Sequence, residues 1–212
     1  MVFMKTIMAI GAHPDDIELG CGAVLSRHIA EGDNVIAVIM TAGEAGGGGD
    51  GLFCRLDETR RALAHLGINN VMCFNFGDTF LGGYIPNMIR NLEDVINHSL
   101  SDGTLERVYT MCDSDRHQDH RAIFEASIVA CRAVSQILCY ETPSAVTTFC
   151  PNFYINITPQ ELSLKNLALK EHHSQQRRDY MQPEYVSSVA RFRGLQAGCE
   201  LSEAFEIYKM VT

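Results

Sequence analysis

The sequence predicts an α/β fold with an open, mostly parallel sheet and helices on both faces. Two observations carry this. Short apolar runs alternate with helically spaced segments from Lys5 to Tyr140, the order that builds parallel strands joined by right-handed crossovers. The apolar runs also lack in–out alternation, as strands do when both faces are covered. Together they describe a Rossmann-like sheet.

Each element has its own signal. Lys5 to Ile10 is a buried strand that ends at Gly11. Gly20 to Glu31 has helical spacing and stops at Gly32. Asn34 to Met40 is a second buried strand, followed by a glycine-rich stretch from Gly43 to Gly51. Phe53 to Leu66 is helical and ends at Gly67, a residue suited to a left-handed helix stop. Val71 to Phe76 is a third strand, and Ile85 to Leu100 a helix with Pro86 near its start. Arg107 to Met111 is a fourth strand, Asp119 to Val134 a helix and Ile137 to Tyr140 a fifth strand. Beyond it, Phe153 to Ile157 reads as a strand. Thr158-Pro159-Gln160-Glu161 opens a helix with a capping box that runs to about His172. Tyr185 to Gln196 has helical character, and Phe205 to Met210 reads as a short strand. No repeat, linker or composition break divides the chain, so residues 1–212 are expected to form one domain.

Composition narrows the functional classes. The 212 residues carry 26 acidic and 17 basic side chains, a formal charge of −9. That balance disfavours a nucleic-acid binder or an anionic-membrane binder, both of which use basic patches. No apolar stretch reaches the ~18–20 residues of a membrane helix. The opening run lacks a basic leader and a small-residue cleavage site, so a secretory signal is not expected. The eight cysteines form no C-x-x-C pair. They read as reduced core or near-core residues of a cytoplasmic protein. A homo-oligomer is compatible with the sequence.

In open α/β sheets, ligands bind beyond the carboxyl ends of the strands, and two clusters of His and Asp fall there. One is Ala12-His13-Pro14-Asp15-Asp16, after the first strand. The other runs from Asp113 to His120, after the fourth. Imidazole nitrogen and carboxylate oxygen are ordinary zinc donors. One of Asp15 and Asp16 can ligate while its neighbour handles a proton. The bland alternative is a polar turn that caps the following helix. His117 and His120 lie near one face of a helix start, and Asp119 can orient a histidine; here the alternative is a solvated loop. The turn after the first strand is not G-x-G-x-x-G, and no P-loop exists, so a nucleotide cofactor is disfavoured. Gly46 to Gly49 is either a flap over the site or a flexible connection.

The string AHPDDIELGCGA with HQDH downstream closely resembles the PIG-L (LmbE-like) family of zinc-dependent N-deacetylases, which act on N-acetylglucosamine units. The likeness extends to Thr41-Ala42-Gly43-Glu44, to Arg55 through Gly67, to Lys165 with His172-His173-Ser174-Gln175, and to Arg193-Gly194 and Ser202-Glu203-Ala204-Phe205. The resemblance implies that His13, Asp16 and His120 bind zinc and that Asp15 is the general base. It implies that His117 stabilises the oxyanion or protonates the leaving amine, that Asp119 supports His117, and that Arg55 binds substrate. Glu44 and Asp78 lie on loops expected to face the site, as substrate contacts or as salt bridges and turn caps. Fe(II), Co(II) or Mn(II) can use the same donors. The sequence departs from the family pattern at Gln118, Ser202 and the Gly46–Gly49 tract. The expected activity is removal of an N-acetyl group from an amino-sugar conjugate. The alternative is a metal-dependent amidohydrolase acting on a non-sugar N-acyl substrate. His28, His65, His98 and His173 are expected to be structural, and Phe74, Phe76, Phe149 and Phe153 to belong to the core.

Overall fold

The computed structural model of the chain describes residues 5–46, 52–99 and 105–211. Strands β1 (Thr6–Gly11), β2 (Asn34–Thr41), β3 (Asn70–Phe76), β4 (Leu105–Met111), β5 (Gln136–Tyr140), β6 (Phe153–Asn156) and β7 (Ser202–Met210) form one sheet. Its order is β3-β2-β1-β4-β5-β7-β6. The pairings among β1 to β5 are parallel, and β7 runs antiparallel between β5 and β6. The mostly parallel open sheet is therefore present, with an antiparallel edge.

Helices α1 (Asp16–Ala30), α2 (Leu52–His65), α3 (Ile85–Ser99), α4 (Gln118–Ala130), α5 (Pro159–Lys170) and α6 (Pro183–Ala197) cover the sheet. The chain moves outward through α1 and α2, then crosses back through α3 and α4. Right-handed crossovers put these two pairs on opposite faces. In keeping with this, α5 packs on α1 and α2, while α3 packs on α4. No helix of the described residues is long and apolar enough to cross a membrane.

The core follows from the apolar runs. All six residues of β1 are buried, and each large aliphatic side chain fully removed from water there stabilises the fold by about 1.5–3 kcal/mol. The Tyr140 ring packs so closely on Gly20 that a Cβ at that position would collide with it. Its hydroxyl donates to the Ile10 carbonyl at 2.7 Å. The Thr158 capping box forms as predicted. Helix α6 ends on Gly198 with φ of 73°.

Several boundaries differ from the sequence reading. Helix α1 begins at Asp16 rather than Gly20, because Asp16 and Glu18 suit the positive end of a helix. Helix α4 ends at Ala130 and β7 begins at Ser202. Gly46 closes a short 3₁₀ turn, and the rest of the glycine tract, Gly47 to Gly49, lies outside the described residues. Cys150 is exposed rather than near-core, whereas Cys21, Cys112, Cys131 and Cys139 are buried and free.

The order reverses between β1 and β4. A sheet opens a crevice at such a switch point, at the carboxyl ends of the two strands. The residues that follow Gly11 and Met111 are those of the two His/Asp clusters.

Candidate metal centre

The turn after β1 is strained and tied down. Asp15 has φ of 107°, a region that side-chain-bearing residues rarely adopt and that recurs at functional sites. Arg55 holds the turn from α2. Its guanidinium donates to the Pro14 carbonyl at 2.9 Å and the Gly43 carbonyl at 2.6 Å, and lies 3.4 Å from Asp15 Oδ2. Gly43 has φ of 67°, and a Cβ there or at Gly46 would collide with this guanidinium. Gly43 and Gly46 thus make room for a buried arginine.

Asp16 sits between two imidazoles. Its Oδ2 lies 3.2 Å from His13 Nδ1, and its Oδ1 lies 3.4 Å from His120 Nε2. Donor atoms of the three buried residues lie within 4.8 Å of one another. Two ligand atoms about 2.0–2.1 Å from a tetrahedral ion lie about 3.3 Å apart, so these spacings fit a shared divalent cation. The far nitrogens are also engaged. His13 Nε2 lies 3.2 Å from Asp119 Oδ2 and 3.1 Å from Asp78 Oδ1. His120 Nδ1 lies 2.8 Å from Asp115 Oδ2. Carboxylates placed this way fix the ring orientation of metal-binding histidines.

The charge of the site leads to the same conclusion. Asp15, Asp16, Asp78, Asp115 and Asp119 are all buried around this cleft, and burying anions is costly unless a cation compensates. A second group, His13, His117 and Asp119, is also compact, but its atoms are committed elsewhere. The Asp119 carboxylate accepts from Thr79 N–H at 2.7 Å and Leu81 N–H at 3.0 Å. His117 Nδ1 accepts from Asp119 N–H at 3.3 Å.

Proton affinities separate the two adjacent aspartates. Burial and then the charge of Asp16 push Asp15 up to about 6, against the pull of Arg55. Burial also acts to raise Asp16, but His120 and the hydrogen bonds from His13 outweigh it and hold the group at about 2. His117 is pushed below its ordinary value by burial and by the charges of His13 and His120. A metal ion would act in the same direction. The imidazole is therefore neutral at pH 7, and because Nδ1 accepts a hydrogen bond, its proton sits on Nε2.

The other predicted residues occupy more structural places than expected. The Asp119 carboxylate does not bond to His117; it braces His13, because the turn after β3 supplies two N–H groups that hold it there. Glu44 accepts from Asp78 N–H at 2.9 Å, and Asp78 accepts from Ala45 N–H at 2.8 Å. Asp78 thereby serves as a turn brace and as a His13 partner. Asp115 was not singled out by the sequence. Thr142 and Ser144 anchor it at 2.5 and 2.6 Å, and nothing in the spacing distinguishes it from exposed Asp113. His172 is fully buried and bonds Glu18 at 2.9 Å. His28 bonds Asp33 and Tyr109, while His65, His98 and His173 are exposed.

The cleft has a volume of about 390 Å³, and its walls include Leu19, Arg116, Pro143, Arg178 and Tyr180. That is room for one sugar-sized group.

The profile of the PIG-L family, described as GlcNAc-PI de-N-acetylase, matches residues 8–131. A protein of Escherichia coli (strain K12), the uncharacterized deacetylase YaiS, is 48% identical over 171 residues, which are 80% of this chain and 91% of its own length. The N,N'-diacetylchitobiose deacetylase of Pyrococcus horikoshii, solved with its inhibitor MPG, superposes with a TM-score of 0.78 at 23% identity, covering 96% of this chain and 83% of that one. GalB, the 4-carboxy-2-hydroxymuconate hydratase of Pseudomonas putida KT2440, superposes with a TM-score of 0.80 at 18% identity, covering 99% and 98%. At such identities the last two show a shared fold alone. The profile match over more than half of the chain, joined to the 48% identity with YaiS, shows that the chain belongs to the PIG-L family.

Proposed function

We propose that the chain is a metal-dependent hydrolase that removes the N-acetyl group from an N-acetylglucosamine-type conjugate, giving acetate and a free amine. One observation carries the metal reading: His13 Nδ1 and His120 Nε2 flank the Asp16 carboxylate at the spacing of ligands on one ion, with Asp15 adjacent. Zinc suits these nitrogen and oxygen donors. When bound, it would supply Lewis acidity and lower the pKa of a water molecule.

The protein's residues do the rest. Asp15 is largely ionised at pH 7, since its pKa is raised only to about 6. It accepts a proton from the attacking water at its carboxylate, and a base with a pKa near the working pH suits that task. Arg55 holds Asp15 in place through the Pro14 carbonyl. His117 donates from Nε2–H to the acetamide oxygen as negative charge builds on it. Collapse breaks the C–N bond, and Asp15 returns its proton to the departing nitrogen. Arg116 and Arg178 at the cleft wall offer hydrogen bonds to sugar hydroxyls, while Asp78 lines the cleft and is held from outside it by Glu44.

The sugar assignment rests on the family description and on the named activities of its relatives. The hydratase that shares the fold makes a test across substrate classes necessary. Metal analysis, combined with acetate release from N-acetylglucosamine, N,N'-diacetylchitobiose and N-acetyl amino acids, tests both claims. The expected result is one divalent metal per chain and acetate from the sugars. Acetate from the amino acids alone would replace the sugar reading, and absence of metal would end the metal reading. The proposed setting is the cytoplasm, on the ground of eight cysteines without metal or redox spacing.

A further inference from the structure

Two residues of the family-like motifs have no part in the chemistry above: Lys165 on α5 and Glu203 on β7. Both are buried, at 6% and 5% exposure. Their charged groups meet at 2.7 Å, directly against a break in α1. At Cys21 the backbone leaves helical geometry, with φ of −143° and ψ of 16°. In an unbroken helix the Ala23 N–H would donate to the Leu19 carbonyl, four residues earlier. Here Ala23 N–H reaches Glu203 Oε1 at 3.1 Å, and Val24 N–H reaches Glu203 Oε2 at 2.8 Å. The Leu19 carbonyl accepts from Lys165 Nζ at 2.6 Å. The ion pair is thus inserted between a backbone donor and its ordinary acceptor, one of the recognised causes of a helix kink.

The break divides α1 into two parts with different tasks. The long part packs on the sheet and on α5. The short first part, Asp16 to Gly20, carries the Asp16 carboxylate that lies between His13 and His120. It also carries Glu18, bonded to buried His172, and Leu19 on the cleft wall. Gly20 at the junction is pressed against Tyr140. A continuous helix would tie the direction of this first turn to the axis of the whole. Buried polar groups must be satisfied, so the break persists only if something else takes up the freed N–H and C=O groups. Lys165 and Glu203 do this from two elements distant in sequence.

We propose that Lys165 and Glu203 are positioning residues: by holding the break in α1 they fix the Asp16 carboxylate between His13 and His120, and so set metal affinity. The proposal rests on the metal reading of the site. Neither side chain touches the reacting atoms, so a structural role must be told apart from a positioning one. Global destabilisation lowers apparent affinity only when an appreciable fraction of the protein is unfolded. Zinc affinity measured well below each variant's Tm therefore reports the site itself.

The test uses Lys165→Met, Glu203→Gln, Lys165→Arg and a control, Leu92→Ala, whose side chain is buried on α3 away from this junction. Zinc affinity is measured by competition with a chromogenic chelator, and Tm on chelator-treated protein. The expected result is at least a tenfold loss of zinc affinity in Lys165→Met and Glu203→Gln, and recovery to within threefold of the unsubstituted chain in Lys165→Arg. Leu92→Ala lowers Tm at unchanged affinity. Folded Lys165→Met and Glu203→Gln proteins that bind zinc like the unsubstituted chain would overturn the proposal while leaving the metal reading intact. Should Lys165→Met fail to fold, Glu203→Gln decides, since an amide still accepts from one of the two N–H groups. Absence of zinc binding by the unsubstituted chain would overturn the metal reading, and this inference with it.

Discussion

Replacing Asp15 by Asn should raise stability and sharply lower turnover together. The isosteric amide removes the charge and keeps the volume, and Asn tolerates positive φ better than most residues. The native carboxyl titrates near 6 in the folded chain, against an ordinary value of 3.8, because burial and Asp16 oppose its charge. The folded state therefore binds more protons than the unfolded state between those two values, and stability falls as pH rises through that window. The penalty is absent below about pH 4 and complete above about pH 6. A gap of about two pK units, at 1.36 kcal/mol each, is of the order of 3 kcal/mol. In a chain of this size that corresponds to about 6–12 °C in Tm. Melting curves of metal-stripped protein at pH 8 should show Asp15→Asn melting higher than the native chain, and the two should converge near pH 4. Acetate release should fall about 10²–10⁴-fold, the range for losing a general base, with zinc still bound. Equal melting temperatures at pH 8, joined to undiminished turnover, would refute both the burial account and the base assignment.

Other outcomes follow from single contacts. Asp115→Asn removes the carboxylate behind His120 Nδ1 and should weaken zinc binding about 10–100-fold; unchanged affinity in a chelator titration would show that this partner is dispensable. Gly20→Ala places a methyl group against the Tyr140 ring and should cost about 1–3 kcal/mol, as overpacked cores do, which urea denaturation would register as a lower midpoint. Burial acts to raise Glu161, but Arg27 and the Thr158 N–H outweigh it and hold the carboxyl below its ordinary 4.5. Its contribution is present above that value and disappears as pH falls through the lower, folded one. Glu161→Gln should accordingly lose about 1 kcal/mol at pH 7 through the weakened cap, and the gap to the native chain should narrow as pH falls below 4.5.

Much of the fold was legible because β1 to β5 are short apolar runs separated by helical spacing and glycine stops. The capping box at Thr158 was readable for the same reason, as a local pattern with a local cause. The start of α1 was not, since Gly20 and Gly22 weaken helical periodicity where a close contact with Tyr140 and the break at Cys21 require it. The extent of β7 was hidden by Ser202 and Glu203, polar residues buried in a strand. In the site, His13, Asp15, Asp16, His117 and His120 stood out by type and by position after β1 and β4. What surrounds them did not, because outer partners are chosen by three-dimensional approach. Asp115 and Asp113 are equivalent in sequence, yet only Asp115 meets Thr142 and Ser144. The family resemblance pairs Asp119 with His117, whereas the turn after β3 holds its carboxylate against His13.

The most direct test is anomalous diffraction at the zinc edge from crystals grown with one equivalent of zinc. One strong peak is expected, bonded to His13 Nδ1, an Asp16 oxygen and His120 Nε2, with Asp15 beside it and unbonded. A principal peak at the donor group of His28, Glu31 and Asp33 or between His117 and Asp119, or none at all, would contradict the assignment of His13, Asp16 and His120 as ligands.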